Sequence, residues 1–165
     1  MTFRQATLHD FPEIMHIIED AVSRMQREGK HQWSEDYPKD VHILVDISRG
    51  FGHVLHDDEA VVAYGAVCFE GEPAYEHLDG EWLTDGPYVV VHRLAVKLDE
   101  QSKGVGRRFM KAVEDFAASR GMGSFRIDTN YDNDRMLHLL ENLGFEFTGI
   151  INYPQGERRA FEKLI

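Results

Sequence analysis

The apolar positions of this chain change their spacing several times, and each change predicts an element. Ile14, Ile17, Ile18, Ala21, Val22 and Met25 recur three and four residues apart, as on one face of an α-helix. Asp10-x-x-Glu13, with Pro12 in the first turn, is a capping-box-like start for that helix, and Gly29 is its stop. Thr2 to Ala6 predicts a short strand ahead of it. The stretch KHQWSEDYP that follows is polar and aromatic, with no period, and reads as a loop. Pro38 opens a second, short helix carrying Val41, Leu44, Val45 and Ile47 towards a stop at Gly50. Phe51 to His56 and Ala60 to Phe69 are strand-like runs joined through Asp57-Asp58-Glu59, which predicts a hairpin.

The character then changes. Glu70, Glu72, Glu76, Asp79, Glu81 and Asp85 follow one another without a lysine or arginine between them. Such a run is either a solvated acidic loop or a collar that concentrates and orients an amine. Pro87 to Lys97 is the strongest strand, continuous in Val and Leu as a strand buried on both faces would be. Val105, Phe109, Val113 and Phe116 then share one side of a helix that Gly121 and Gly123 end. Ser124 to Thr129 alternates as a strand, and Asn133 to Asn142 forms a helix. Phe145 to Ile151 and Arg158 to Ile165 are closing strands around Pro154-Gln155-Gly156. This order, with no internal repeat or low-complexity linker, predicts a mixed sheet with helices on both faces, in the α/β to α+β class.

Composition narrows the picture. With 165 residues, 42% hydrophobic and 11% aromatic, the chain suffices for one well-cored domain over residues 1–165 and is short for two. No apolar run approaches the roughly 20 residues of a membrane span, and MTFRQATLHD lacks a basic-then-apolar leader pattern, so a cytoplasmic protein is expected. The lone Cys68 sits in an apolar run and reads as a small core residue. A net charge of −11 argues against nucleic acid as a partner and favours a cationic small molecule. Nine histidines raise the question of a metal, yet neither His-Glu-x-x-His nor Cys-x-x-Cys spacing occurs, and no metal is expected.

The candidate chemistry centres on QSKGVGRRFM, Gln101 to Met110, where an apolar strand gives way to a helix. Gly104 and Gly106 lack a Cβ, so a charged group can approach the backbone there. The first N–H groups of a helix have no intrahelical partner and carry the positive end of its dipole, which suits a phosphate. Lys103, Arg107, Arg108 and Lys111 crowd this end, where a cation is disfavoured by about 0.3–1 kcal/mol. A tight turn with solvated basic residues is the alternative. The dinucleotide and P-loop patterns lack their glycines: a third glycine would fall at Phe109, and no G-x-x-x-x-G-K-[ST] occurs.

A strand ending Leu94-Ala95-Val96, followed by Gln101-x-x-Gly104-x-Gly106 at a helix start, resembles the acyl-coenzyme A signature of the GNAT acyltransferase superfamily. Asn133, Met136, Leu139 and Gly144-Phe145 are similar to that family's closing helix and following strand. The resemblance spans almost the whole chain. It implies a mostly antiparallel sheet of six to seven strands with about four helices, and acetyl-CoA as co-substrate. The activity it implies is N-acetyl transfer to a primary amine, small-molecule or peptide, by direct attack on the thioester. By the same resemblance the pyrophosphate would sit over the N–H groups of Ser102, Lys103, Gly104, Val105, Gly106 and Arg107, with Gln101 in the motif. The pantetheine arm would pair with the backbone around Leu94, Ala95 and Val96, in a split between that strand and Ser124 to Thr129. Asn133 would contact the cofactor, cap the last helix, or do both. A homodimer is common in the family.

An alkyl ammonium with a pKa near 10.4 must lose a proton before it attacks a carbonyl. His92, on one face of the Tyr88 to Val96 strand, is the first candidate base and Glu81 the second, while a histidine satisfied within the sheet is the plain alternative for His92. Tyr88 is a candidate substrate contact; Trp33 and Tyr37, large groups in a loop, more often plug the edge of a core, and the resemblance keeps Trp33 as a candidate substrate contact too. The chain departs from the family at Leu140, where a tyrosine that serves as general acid is common; Tyr131 and His138 are near it in sequence only. That departure keeps a non-catalytic acyl-CoA binding or sensing domain as the alternative function.

Overall fold

Each long period becomes an element close to where it was read. The computed structural model describes residues 1–165. It contains β1 (Thr2–Gln5), α1 (Phe11–Arg27), α2 (Asp40–Ser48), β2 (Gly52–His56), β3 (Val61–Cys68), β4 (Asp79–Gly80), β5 (Tyr88–Val96), α3 (Val105–Ser119), β6 (Ser124–Thr129), α4 (Asp134–Asn142), β7 (Glu146–Tyr153) and β8 (Gly156–Leu164). The strands form one eight-stranded sheet in the order β1-β2-β3-β5-β6-β8-β7-β4. The β5 and β6 pair is parallel, while β1 with β2, β2 with β3, β6 with β8, β7 with β8 and β4 with β7 are antiparallel. No helix is long and apolar enough to cross a membrane.

The chain divides into two compact units, each built from two stretches: residues 1–67 with 92–112, and residues 68–91 with 113–165. In the first, Ile14, Ile17 and Ile18 of α1 join Ile43, Val54, Tyr64 and Ala95 in one apolar cluster. The Glu13 carboxylate, one turn into α1, accepts the Val61 N–H at 2.9 Å and ties the helix to the start of β3. Trp33 belongs to this cluster and is only 6% exposed.

In the second unit β6, β8 and β7 share a ladder in which Ser124 faces Leu164 and Phe147 faces Phe161. Glu162 is fully buried there, and its carboxylate accepts from Ser124 Oγ at 2.5 Å, Arg126 Nε at 3.1 Å and the Leu83 N–H at 2.5 Å. A buried carboxylate survives only when so satisfied. The Arg126 guanidinium lies 4.3 Å from the Trp82 ring centre and 4.1 Å from that of Tyr88, and it donates to the Thr84 carbonyl.

Residues 70–85, read as a solvated acidic loop or a collar, keep Glu70, Glu76, Asp79, Glu81 and Asp85 exposed but carry structure that the sequence did not predict. The segment folds into a short 3-10 turn, Pro73–His77, and then β4, the eighth strand, which pairs with β7. Gly80 and Gly149 approach so closely that a Cβ on either would collide with the other strand's backbone. A two-residue strand has no period, which is why the sequence conceals it.

Candidate active site

The turn before α3 owes its shape to two left-handed residues, Ser102 at φ 71° and Gly104 at φ 76°. A Cβ added at Gly104 would meet nothing, so the glycine serves the backbone angle and the surface over the turn is open. Buried Val105, Phe109, Met110 and Val113 fix the helix behind it. Arg108 donates to the Gly104 carbonyl at 3.0 Å, so the turn runs directly into the first turn of α3. Gln101 Nε2 donates to the Val96 carbonyl at 3.3 Å, which couples the turn to the end of β5. Lys103, Arg107 and Arg108 are exposed. Part of the positive charge is answered from within the chain, since Lys103 Nζ lies 3.1 Å from the Glu100 carboxylate.

β5 itself is interrupted. Arg93 sits at φ 57° in the middle of the strand, a conformation that a non-glycine residue holds at a cost of about 1–3 kcal/mol. His92, Arg93 and Leu94 are all half-buried, after the fully buried Val89 to Val91. Arg93 is held by a fork, donating to Asp46 from Nε at 2.8 Å and from Nη2 at 2.5 Å. Asp46 is 2% exposed and also accepts the Tyr64 hydroxyl at 2.7 Å. The remaining Arg93 nitrogen, Nη1, donates to the Tyr37 hydroxyl at 2.9 Å. Burial works to lower the Arg93 pKa, but the hydrogen bond to Asp46 and the surrounding negative charge outweigh it, and the guanidinium stays charged. Burial first, and the Asp46 carboxylate second, push the Tyr64 phenol well above its usual range.

Beyond the kink Ala95 is buried, Leu94 and Val96 are half-buried, and the Lys97 N–H continues to the Val62 carbonyl at 2.9 Å. The parallel partner does not follow: the register of β5 with β6 runs from Tyr88 opposite Ser124 to Val90 opposite Arg126. His92, Leu94 to Val96 and the Gln101 to Arg107 turn therefore all belong to the first unit.

The other candidate residues lie in the second unit. The Tyr88 hydroxyl accepts the Glu72 N–H at 3.0 Å while its ring flanks Arg126. Glu81 is exposed, and its N–H bonds the Thr148 carbonyl at 3.2 Å. Asn133 caps α4, its Oδ1 accepting from the Met136 N–H at 3.3 Å. Leu140 is 0% exposed, so the position of the family's tyrosine is a core position in this chain, while Tyr131 and His138 are exposed. Asp128 gathers the hydroxyls of Tyr75 at 2.7 Å and Tyr153 at 3.0 Å, and burial, then the Asp128 charge, raises both phenols. No group of three or more His, Cys, Asp and Glu side chains is arranged to hold a metal ion.

The sequence did not single out Asp46, Arg93 or Tyr64. A signal was present for two of them: Arg93 is the one fixed cation in the apolar run YVVVHRLAV, and Asp46 interrupts the apolar HILVDI of α2. A lone acid and a lone base in apolar segments must find partners if buried.

Comparison with known proteins gives the family. The model of the acetyltransferase (GNAT) family matches residues 13–145. Among solved structures, a GNAT-family acetyltransferase from Streptococcus agalactiae is 30% identical, covers 99% of this chain and 95% of its own, and superposes with a TM-score of 0.91. A GNAT-family acetyltransferase from Listeria monocytogenes, 18% identical, covers 99% and 94% with a TM-score of 0.78. The ribosomal-protein-S18-alanine N-acetyltransferase of Escherichia coli, also 18% identical, covers 99% and 93% with a TM-score of 0.70; these two likenesses speak to the fold. No curated protein sequence matches the chain. With a glycine turn at the start of α3, a kinked β5 leading into it and the family's pattern across residues 13–145, this chain belongs to the GNAT acetyltransferase family, whose members use acetyl-CoA.

Proposed function

We propose that the protein is an acetyl-CoA-dependent N-acetyltransferase that moves an acetyl group to a primary amine by direct attack on the thioester. The observation that carries this is the open turn over Gly104 at the start of α3, with exposed Lys103, Arg107 and Arg108 around it. Such a turn fits a diphosphate. Ser102 to Arg107 would hold that diphosphate, and the main chain of Leu94 to Val96 would pair with the amide-bearing arm. Asn133 would assist while capping α4. When bound, the co-substrate supplies an acyl group activated as a thioester.

His92 takes the proton from the arriving ammonium, directly or through water, with Glu81 as the second candidate. The N–H groups near Leu94 to Val96 polarise the carbonyl under attack. A general acid is not required, because a thiol of pKa near 8.5 leaves as the thiolate without much help. The exposed acids between Glu70 and Asp85 favour a cationic acceptor, small or peptidic.

Incubation with acetyl-CoA and a panel of amines, following thiol release, is the direct test. Release well above the buffer rate with at least one amine is expected. Saturable acetyl-CoA binding with no turnover on a broad panel would instead favour the sensing domain, a reading to which buried Leu140 lends support. Gly106 has no positive φ, so Gly106→Asp fits the backbone and its charge even suits a helix start. The variant should fold at least as stably as the parent yet bind acetyl-CoA at least about tenfold more weakly. His92→Ala should depress turnover most at neutral pH and less at alkaline pH, where the amine deprotonates itself; equal loss at every pH removes His92 as the base.

A further inference from the structure

We infer that Asp46 and Arg93 are positioning residues: their fork holds β5 in its left-handed kink, and the kink sets the direction of His92 and of the main-chain groups from Leu94 to Val96. The inference rests on the acyl-CoA reading above for what those groups meet.

The argument begins with the backbone. Glycine adopts φ near 57° without steric cost, whereas arginine stays there only when its surroundings over-determine it. The surroundings do so here. Three segments converge on this one side chain: α2 through Asp46, β3 through the Tyr64 hydroxyl that shares the carboxylate, and the loop between α1 and α2 through Tyr37. Asp46 accepts three hydrogen bonds and is 2% exposed, so it is occupied as an anchor.

A second observation separates this fork from an ordinary stabilising one. Arg4 and Asp10 form the same two-pronged contact in the same unit, at 2.8 Å for each prong, with Arg4 outside the left-handed region. A fork therefore does not by itself demand a kink.

The consequence lies on either side of Arg93. In an extended strand successive side chains alternate between faces, and inserting one left-handed residue breaks the alternation. The register with β6 has already ended at Val90, so no β6 pairing holds the strand past that point. If Arg93 relaxed to an extended conformation, alternation would return, and the residues on one side of it would turn to the opposite face. His92 and the N–H groups of Leu94 to Val96 would then lose their present relation to each other.

The experiment uses the full chain and reads acetyl-CoA affinity by calorimetry, with amide hydrogen exchange at Leu94 to Val96 in the ligand-free protein. Asp46→Asn keeps the volume but turns an amide against the guanidinium. It is expected to weaken acetyl-CoA by about tenfold and to speed exchange at those three amides. Adding Arg93→Gly removes the orphaned guanidinium and lets the kink form without steric cost, and should return affinity to within about threefold of wild type. Asp10→Asn, at the other fork, should lower the melting temperature while leaving affinity unchanged. Asp46→Asn binding like wild type with unchanged exchange overturns the inference, as does a double variant no better than Asp46→Asn. If Asp46→Asn fails to fold, the double variant decides: binding near wild type supports the kink and lost binding overturns it. Wild-type protein that does not bind acetyl-CoA is a different result, since it removes the acyl-CoA reading itself.

Discussion

Two arginine–aspartate forks in the same unit make the most instructive comparison in this protein. Arg4 and Asp10 lie six residues apart; Asp10 precedes α1, accepts the Thr7 N–H at 2.8 Å, and has a partner whose side chain is 39% exposed. Arg93 and Asp46 lie 47 residues apart, the arginine side chain is 15% exposed, and the backbone beneath it is strained. The first fork ties a strand end to a helix start and ends there. The second joins a helix, a strand and a loop to one distorted residue beside the candidate base. The same chemical contact thus serves local capping in one place and long-range geometry in the other.

The largest effect that separates them should follow Asp46→Ala. It leaves the Arg93 guanidinium buried without its counter-charge, and loss of one partner of such a pair costs about 3–5 kcal/mol. Chemical denaturation measures this, and a loss below about 1 kcal/mol would mean that water reaches Arg93 and that the two forks are alike.

The Asp10 fork should show itself through pH. The hydrogen bond from Arg4 is the main reason that the Asp10 carboxyl titrates at about 2, below its usual 3.8. Because the folded value is depressed, the unfolded chain binds the proton more readily, and the contribution is fully present above the unfolded value. It disappears as pH falls from about 4 through about 2 and amounts to roughly 2 kcal/mol. Unfolding free energies of wild type and Asp10→Asn should therefore converge in strong acid, separate as pH rises from about 2 to about 4, and keep a constant gap above that. Parallel curves between those two pH values would show that Asp10 is not held as an anion by Arg4.

Tyr37→Phe should have the smallest effect. It removes an acceptor from Arg93 at the exposed end of the network and should cost roughly 0.5–1 kcal/mol. A larger loss would show that the loop between α1 and α2 carries more of the kink than Asp46 does.

The sequence disclosed what has a period and hid what depends on convergence. Ile14 to Met25 and Val105 to Phe116 write their helices plainly, and Gly29, Gly50 and Gly121 stand at left-handed stops as expected. Gln101-x-x-Gly104-x-Gly106 announced the turn because glycines at fixed offsets are a local signal. The kink at Arg93 is not local, for it exists only once Asp46, Tyr64 and Tyr37 arrive from elsewhere in the chain. His92 could be placed on β5, but the broken alternation around it could not be foreseen from YVVVHRLAV. The attachment of the acidic segment was hidden for the same reason, since its anchors, Arg126 and Glu162, are distant in sequence.

That segment's construction has a practical corollary. Gly80, the Trp82 ring, the Leu83 N–H and the Thr84 carbonyl fasten it, while Glu76, Asp79, Glu81 and Asp85 point their carboxylates outward and fasten nothing shown. Attachment and charge are therefore separate traits, and Glu76, Asp79 or Asp85 can be swapped for neutral or basic residues to test the proposed preference for a cationic acceptor without disturbing the scaffold.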